Sequence, residues 1–337
     1  MTSVPAPPEI LTRHRARIEE ALRAAIGAPE TDLARVARYV LGWESLGEHP
    51  APSPGKRIRP ALALLAAEAV GGDPETAMPG AVAVELVHNF SLVHDEVQDH
   101  DRERHHRPTA WALVGEAQAI NVGDFLFTRA ISALTRAEGD FGRMAALDVL
   151  NNAIARMIEG QWKDIEFEQR LDVTVDEYLA MVAGKTGALL AAPLEIGALL
   201  AGAPKDVSEG LGRWGERLGL AFQAHDDYLG IWGDPNQTGK SNTNDIERRK
   251  KTLPVVHALG DPDAGAIIRR AYAGESPDID TAEVLRALEA AGSDQFCRDR
   301  AHAFASEAEQ VLADLPLSPG AKETLHAVGS FLVERAS

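Results

Sequence analysis

The chain has 337 residues, 45% of them hydrophobic, and a formal net charge of −17. That is enough apolar sequence for a sizeable core, and the acidic balance argues against a general nucleic-acid binder. One cysteine, Cys297, excludes an internal disulfide framework and fits a reducing cytoplasm.

The first residues, "MTSVPAPPEI", are Pro-rich and expected to be mobile; no apolar run follows the early basic residues, so no signal peptide is expected. Helical spacing, with apolar residues at i, i+3, i+4 and i+7, then dominates. It runs through "IEEALRAAIG", "DLARVARYVLGWESL", "RPALALLAAEAVGG", "AVAVELVHNFSLVHDEVQD" and "AINVGDFLFTRAISALTRA". It continues through "MAALDVLNNAIARMIEGQWKDIEFE", "VDEYLAMVAGKTGALLAAPLEIGALLAG" and "GLGRWGERLGLAFQAHDDYLGIW" to "AKETLHAVGSFLVERA". Several segments are apolar on more than one face, as central helices of a large bundle are. "GALLAAPLEIGALLAGA" is broken by Pro193 and Glu195 and reads as too short for a membrane span. Loops carry Gly, Pro and Asp, none as long as a linker. The expectation is one all-α domain over residues 1–337.

One stretch stands apart. "LVHDEVQDHDRERHHRPT", residues 92–109, holds five acidic residues, four histidines and three arginines, yet follows an apolar helix. Asp95 and Asp99 are i, i+4 and share a helix face. Like charges at that spacing ask for a cation, and hard oxygen ligands suit Mg²⁺. A solvated helix end fits this motif alone equally well. A second acidic pair, Asp226 and Asp227, ends another apolar helix about 130 residues on. Mg²⁺ tends to bridge carboxylates to phosphate. Two acidic helix ends and scattered bases (Lys56, Arg57, Arg59, Arg104, Lys185, Lys240, Lys250, Lys251) thus suggest a diphosphate substrate.

From about residue 55 to 255 the motifs fall in a specific order: "GKRIRP", "VELVHNFSLVHDEVQD", "RPTAW", "NVGDFLF", "GQWKD", "GKTGALL", "AFQAHDDYLG", "TGKSNTNDIERRKKTLP". The series resembles the trans-prenyl diphosphate synthases of the farnesyl and geranylgeranyl type. The resemblance implies an all-α bundle of the isoprenoid synthase type with a central cavity, usually a homodimer, with the acidic motifs facing each other. It implies condensation of an allylic diphosphate with isopentenyl diphosphate, three Mg²⁺ ions, and no stable membrane insertion.

The family's first motif is Asp-Asp-x-x-Asp; its metal ligands align with Asp95 and Asp99, with Glu96 between them as a supporting partner. In the second motif Asp226 is the expected metal ligand and Asp227 joins it, while Gly230 replaces the last acid. The allylic diphosphate is expected on Arg104, Lys185, Thr186, Gln223, Lys240 and Lys250. Isopentenyl diphosphate is expected on Lys56, Arg59, His88 and His105, the last standing where the family usually has arginine. Isolated bases are mostly exposed surface charges, so these roles rest on the series. His14, His225, His257, His302, His326 and Cys297 are given no role; "GDFLF" and Asp164 are expected to serve helix packing and dimer contacts.

Phe90 and Ser91, the fifth and fourth positions before the first Asp, are expected to set product length. An aromatic fifth residue without an insertion in the motif favours a C20 product, with C15 next. Two other readings stay open. One is a terpene cyclase-like or non-elongating member of the fold, which retention of Lys56, Arg59 and His88 disfavours. The other is a weakly active partner subunit of a hetero-oligomer, kept open by Glu96, His105 and Gly230.

Overall fold

The computed structural model describes residues 9–104, 107–136, 140–233, 244–273 and 279–334. The expected mobile start, His105 and Lys240 lie outside them. The described residues are overwhelmingly helical, as the 3.6-residue periodicity requires. In chain order come α1 (Glu9–Thr12), α2 (Arg15–Ile26), α3 (Asp32–Val40), α4 (Ile58–Ala69) and α5 (Met78–Gln98). A two-stranded hairpin, β1 (Glu103–Arg104) with β2 (Arg107–Pro108), follows in antiparallel register, Glu103 opposite Pro108. Its strands are too short to leave an alternating pattern in the sequence. Then come α6 (Ala110–Val114), α7 (Glu116–Thr135), α8 (Asp140–Glu168), α9 (Val175–Val182), a π-turn (Ala183–Gly187), α10 (Ala188–Leu200) and α11 (Lys205–Trp232). Shorter helices, Asn244–Glu247, Leu253–Leu259, Pro262–Tyr272 and Thr281–Ala290, precede the longer Ser293–Asp314 and Pro319–Glu334.

The chain forms two compact units. One comprises Pro7–Asn151 and Ala192–Glu209; the other includes Asn152–Ala191 and Gly210–Ser337. In the first, α5 is the central helix: Ala81, Val82, Val84, Leu86, Val87, Phe90 and Val93 are all buried. α4 buries an unbroken run, Ala61–Ala67. α10 approaches α4 so closely that a Cβ on Gly197 would lie 2.0 Å from the Ala63 carbonyl oxygen, so only glycine fits. In the second unit, Tyr178, Met181, Val182, Leu220, Ala224, Leu253, Val256, Cys297 and Phe304 form one apolar cluster. A second cluster gathers Ile231, Ile246, Val255, Ile268, Val284 and Leu288.

The helical run Val175–Leu200 corrects one sequence expectation. It continues through Pro193 and is long and apolar enough, by length and composition, to cross a membrane. Most of its apolar stretch is buried inside the protein, and a core helix needs that composition.

Candidate active site

In the first unit, α5 ends in acid. Asp99 caps the helix, its amide donating to the Asp95 carbonyl at 2.8 Å. Asp95 and Asp99 are half-buried. Carboxylates one turn apart at a helix C-terminus repel each other and meet the negative end of the helix dipole. Such a pair is favourable only with a cation close by. Glu96 is different: it is 8% exposed and turned inward, with Arg104 from the hairpin 3.8 Å away. Burial pushes its carboxyl up to about 7, against the pull of Arg104 and the Ala110 amide.

The bases at the start of α4 divide by role. Arg57, in the left-handed region at φ 51°, donates to Glu19 at 2.8 Å, to Glu85 at 2.8 Å and to the Leu41 carbonyl at 2.7 Å. It is a structural residue. Arg59 points elsewhere: its buried Nε has no hydrogen-bond partner among the described residues, and burial lowers its pKa. His88 on α5 is pushed well below 6.5, first by burial and then by the charges of Arg59, Arg104 and Arg57. The charges of these three arginines thus act on His88, and one of them, Arg59, keeps a buried N–H without a partner among the described residues. Lys56 is half-buried.

The second unit carries Asp226 and Asp227 on α11. Asp226 is half-buried. Asp227, expected among the metal ligands, is placed otherwise. It is 5% exposed and its carboxylate accepts from the Tyr178 hydroxyl, from Gln223 Nε2 at 2.9 Å and from the Leu253 amide at 3.0 Å. With both oxygens engaged in the core, it has the environment of a structural acceptor; burial raises it to about 6.

Lys185 and Thr186 sit in the π-turn, where one extra residue per turn re-aims the side chains. Gly160 lets α8 dock on this turn: a Cβ there would lie 2.4 Å from the Lys185 amide nitrogen. The docking brings Asp164 of α8 into an ion pair with Lys185. Thr186 Oγ1 donates to Gln223 Oε1 at 3.2 Å. Lys250 is exposed, between Arg249, which donates to the Ala271 carbonyl at 3.2 Å, and Lys251, which donates to the Glu168 carbonyl at 2.8 Å.

Two residues here escaped the sequence reading. Asp164 was expected only to pack; the need of a half-buried Lys185 for a counter-charge is the signal that could have found it. Tyr178 left no signal, because an aromatic residue at helical spacing reads as core. A cavity of about 640 Å³ in the same unit, lined by Val173, Val256, His257, Asp261 and Arg269, holds none of the expected site residues.

The donor chemistry fits Mg²⁺: the available side chains are carboxylates, all hard oxygen. Among the described residues no group of three or more His, Cys, Asp or Glu side chains could hold a metal.

A predominantly helical chain with two acidic helix ends and half-buried bases near one of them has the layout of an enzyme class acting on phosphorylated substrates. The chain belongs to the polyprenyl synthetase family, whose pattern matches residues 43–290. It is 40% identical over 325 residues to the (2E,6E)-farnesyl diphosphate synthase of Mycobacterium tuberculosis, covering 94% of this chain and 90% of that protein. It is 45% identical over 251 residues to the geranylgeranyl diphosphate synthase of the same organism, covering 74% and 72%. A polyprenyl synthetase crystal structure from Streptomyces coelicolor A3(2) superposes with a TM-score of 0.88 at 40% identity, covering 96% of this chain and 98% of that one.

Proposed function

We propose that the chain joins an allylic diphosphate to isopentenyl diphosphate with Mg²⁺ bound by Asp95, Asp99 and Asp226, giving a C20 product in preference to C15. That it is a short-chain prenyl diphosphate synthase, and so a prenyltransferase, follows from the family and its relatives. The observation that carries the substrate reading is the buried Arg59 Nε, which has no hydrogen-bond partner among the described residues.

The two diphosphates need opposite treatment. One must leave, and bound Mg²⁺ supplies the charge neutralisation that makes it a leaving group. Arg104, Lys185, Thr186, Gln223, Lys240 and Lys250 are assigned to hold that substrate. The other diphosphate must stay intact, so Arg59, Lys56, His88 and His105 hold it through hydrogen bonds and charge alone. Apolar side chains around the isoprenoid tail keep water from the allylic cation. The cation adds to the double bond of isopentenyl diphosphate, and the proton then lost passes to the departing pyrophosphate. No side-chain base is required.

We also assign the protein to the cytoplasm, as a homodimer. The experiment is direct: protein with Mg²⁺ and dimethylallyl, geranyl or farnesyl diphosphate, with and without isopentenyl diphosphate. Longer diphosphates only with isopentenyl diphosphate are the expected result; a hydrocarbon or alcohol without it would point to a cyclase, and no turnover to a partner subunit.

A further inference from the structure

Asp227 is a junction. Its Oδ2 accepts from Tyr178 of α9 and from the Leu253 amide at 3.0 Å; its Oδ1 accepts from Gln223, one turn back on α11, at 2.9 Å. Gln223 passes the connection to Thr186 of the π-turn, whose hydroxyl donates to Oε1 at 3.2 Å. Three elements of one unit meet at this carboxylate, and the π-turn joins them through Gln223. The tyrosine is 4% exposed and the acid 5%, so no water can easily replace a lost donor. A carboxylate deprived of a donor in such a place must rearrange to find another.

The segment after Asp245 is pinned at three points on this frame. Arg249 donates to the Ala271 carbonyl at 3.2 Å, Lys251 to the Glu168 carbonyl at 2.8 Å, and the Leu253 amide to Asp227. Lys250 lies between the pins, exposed. The place of that lysine therefore depends on the Leu253 anchor, and the turn of the Gln223 amide depends on the same carboxylate.

We propose that Tyr178 is a positioning residue for the allylic diphosphate: acting through Asp227, it fixes the Gln223–Thr186 pair and the backbone that presents Lys250. The inference rests on the assignment of Gln223, Thr186 and Lys250 to that substrate. It gives Asp227 a task distinct from that of its neighbour Asp226. The tyrosine hydroxyl holds one carboxylate lone pair, which leaves the others to face Gln223 and Leu253. Without it, Asp227 is drawn toward a different donor, and the two diphosphate-binding groups lose their common reference.

The test separates the two substrates. Tyr178→Phe keeps the buried ring and removes only the hydroxyl. KM for the allylic diphosphate is expected to rise about tenfold, the scale of one hydrogen bond to a charged acceptor, while KM for isopentenyl diphosphate is unchanged. Asp227→Ala should show the same split, and Asp227→Asn, which keeps an acceptor for Tyr178 and the Leu253 amide but turns its own N–H toward Gln223, should recover part of it. In the double variant Tyr178→Phe/Asp227→Ala the two effects should not multiply, because one acts through the other. Equal rises in both KM values, a Tyr178→Phe enzyme with wild-type allylic KM, or multiplying effects would overturn the inference. An Asp227→Asn protein as impaired as Asp227→Ala would also overturn it, because a charge or metal ligand would then be at work; this arm stands even if Tyr178→Phe fails to fold. Wild-type protein that binds neither diphosphate would end the functional reading as well, a pattern distinct from all of these.

Discussion

Arg57 and Glu85 form a buried ion pair, Nη1 to Oε1 at 2.8 Å, while Arg59, two residues on, keeps a buried Nε without a partner among the described residues. The same short motif therefore contains a residue that holds the fold and one that we assign to isopentenyl diphosphate. Arg57→Ala leaves Glu85 buried and uncompensated and should cost about 3–5 kcal/mol, read as a fall in the urea midpoint. Arg59→Ala removes a group whose burial is already costly. It should leave stability unchanged or improved and raise KM for isopentenyl diphosphate by one to two orders of magnitude, roughly the loss of one charged hydrogen-bonding group. Loss of stability in Arg59→Ala with an unchanged KM would reverse the two roles.

The core predicts sensitivity to alkali. Burial raises the Cys297 thiol above its ordinary 9.0, and raises the Tyr178 and Tyr272 hydroxyls above 10.0. Above those ordinary values the unfolded chain loses protons that the folded chain keeps. The folded state then binds more protons, so stability is fully present below about pH 9 and falls as pH rises past it, by about 1.4 kcal/mol per pH unit for each titrating group. Urea midpoints between pH 8 and 11 check this, and Cys297→Ala should flatten the first part of the decline. The native thiol should also resist alkylation at pH 8 and react once unfolded.

Much of this was legible in the sequence because its cause is local. The i, i+4 spacing of Asp95 and Asp99 fixes their shared face as soon as α5 is helical, and the apolar periodicity makes it so. What stayed hidden depends on contacts distant in sequence. Arg57 and Arg59 look alike in "GKRIRP"; only Glu19 and Glu85, folded against the first, tell them apart. Asp226 and Asp227 look equivalent until Tyr178 and Leu253, 49 and 26 positions away, claim the second. The length of the apolar run through Pro193 was likewise underread, because tertiary burial overrides the cost of a missing amide.

Asp226→Ala should abolish turnover while leaving the fold intact, because its half-buried carboxylate is assigned to a leaving-group metal. Gly230→Asp tests the missing acid of that motif. A Cβ at Gly230 would lie 3.0 Å from Asp245 Oδ2, so a new carboxylate would meet an existing one. Like charges at a partly exposed site should cost about 1 kcal/mol, seen as a lower Tm in EDTA. Added Mg²⁺ should recover that loss. A Gly230→Asp protein with the same Tm deficit in both conditions would place no cation near α11, and wild-type rates in Asp226→Ala would remove the metal assignment.

The product-length prediction turns on a stack of side chains below the acidic end of α5. Phe90 lies one turn below His94, with ring centroids 4.8 Å apart and nearly perpendicular, and its ring is 5.5 Å from that of Phe127 on α7. His94 in turn fills the space over Gly123, where a Cβ would come within 2.2 Å of its Nε2. Phe90 is thus supported from two sides and cannot easily swing away from a growing tail. Ser91, one turn before Asp95, is small and half-buried, and is the residue expected to let the tail pass. Each isoprenoid unit adds five carbons, whose burial is favourable by roughly 4 kcal/mol at about 0.8 kcal/mol per CH₂. A residue that stops growth must impose a steric cost of that order, which a braced ring can and a mobile one cannot. Phe90→Ala should therefore lengthen the product by at least one unit. Phe127→Ala, which removes only the brace, should give a mixture extending past C20. Ser91→Phe should shorten the product toward C15 or C10. Gly123→Ala must displace His94 toward Phe90 and should shorten it as well, with some loss of stability. Chromatography of the dephosphorylated alcohols reads all four. An unchanged distribution in both Phe90→Ala and Ser91→Phe would put the floor of the cavity elsewhere and leave the C20 preference without support.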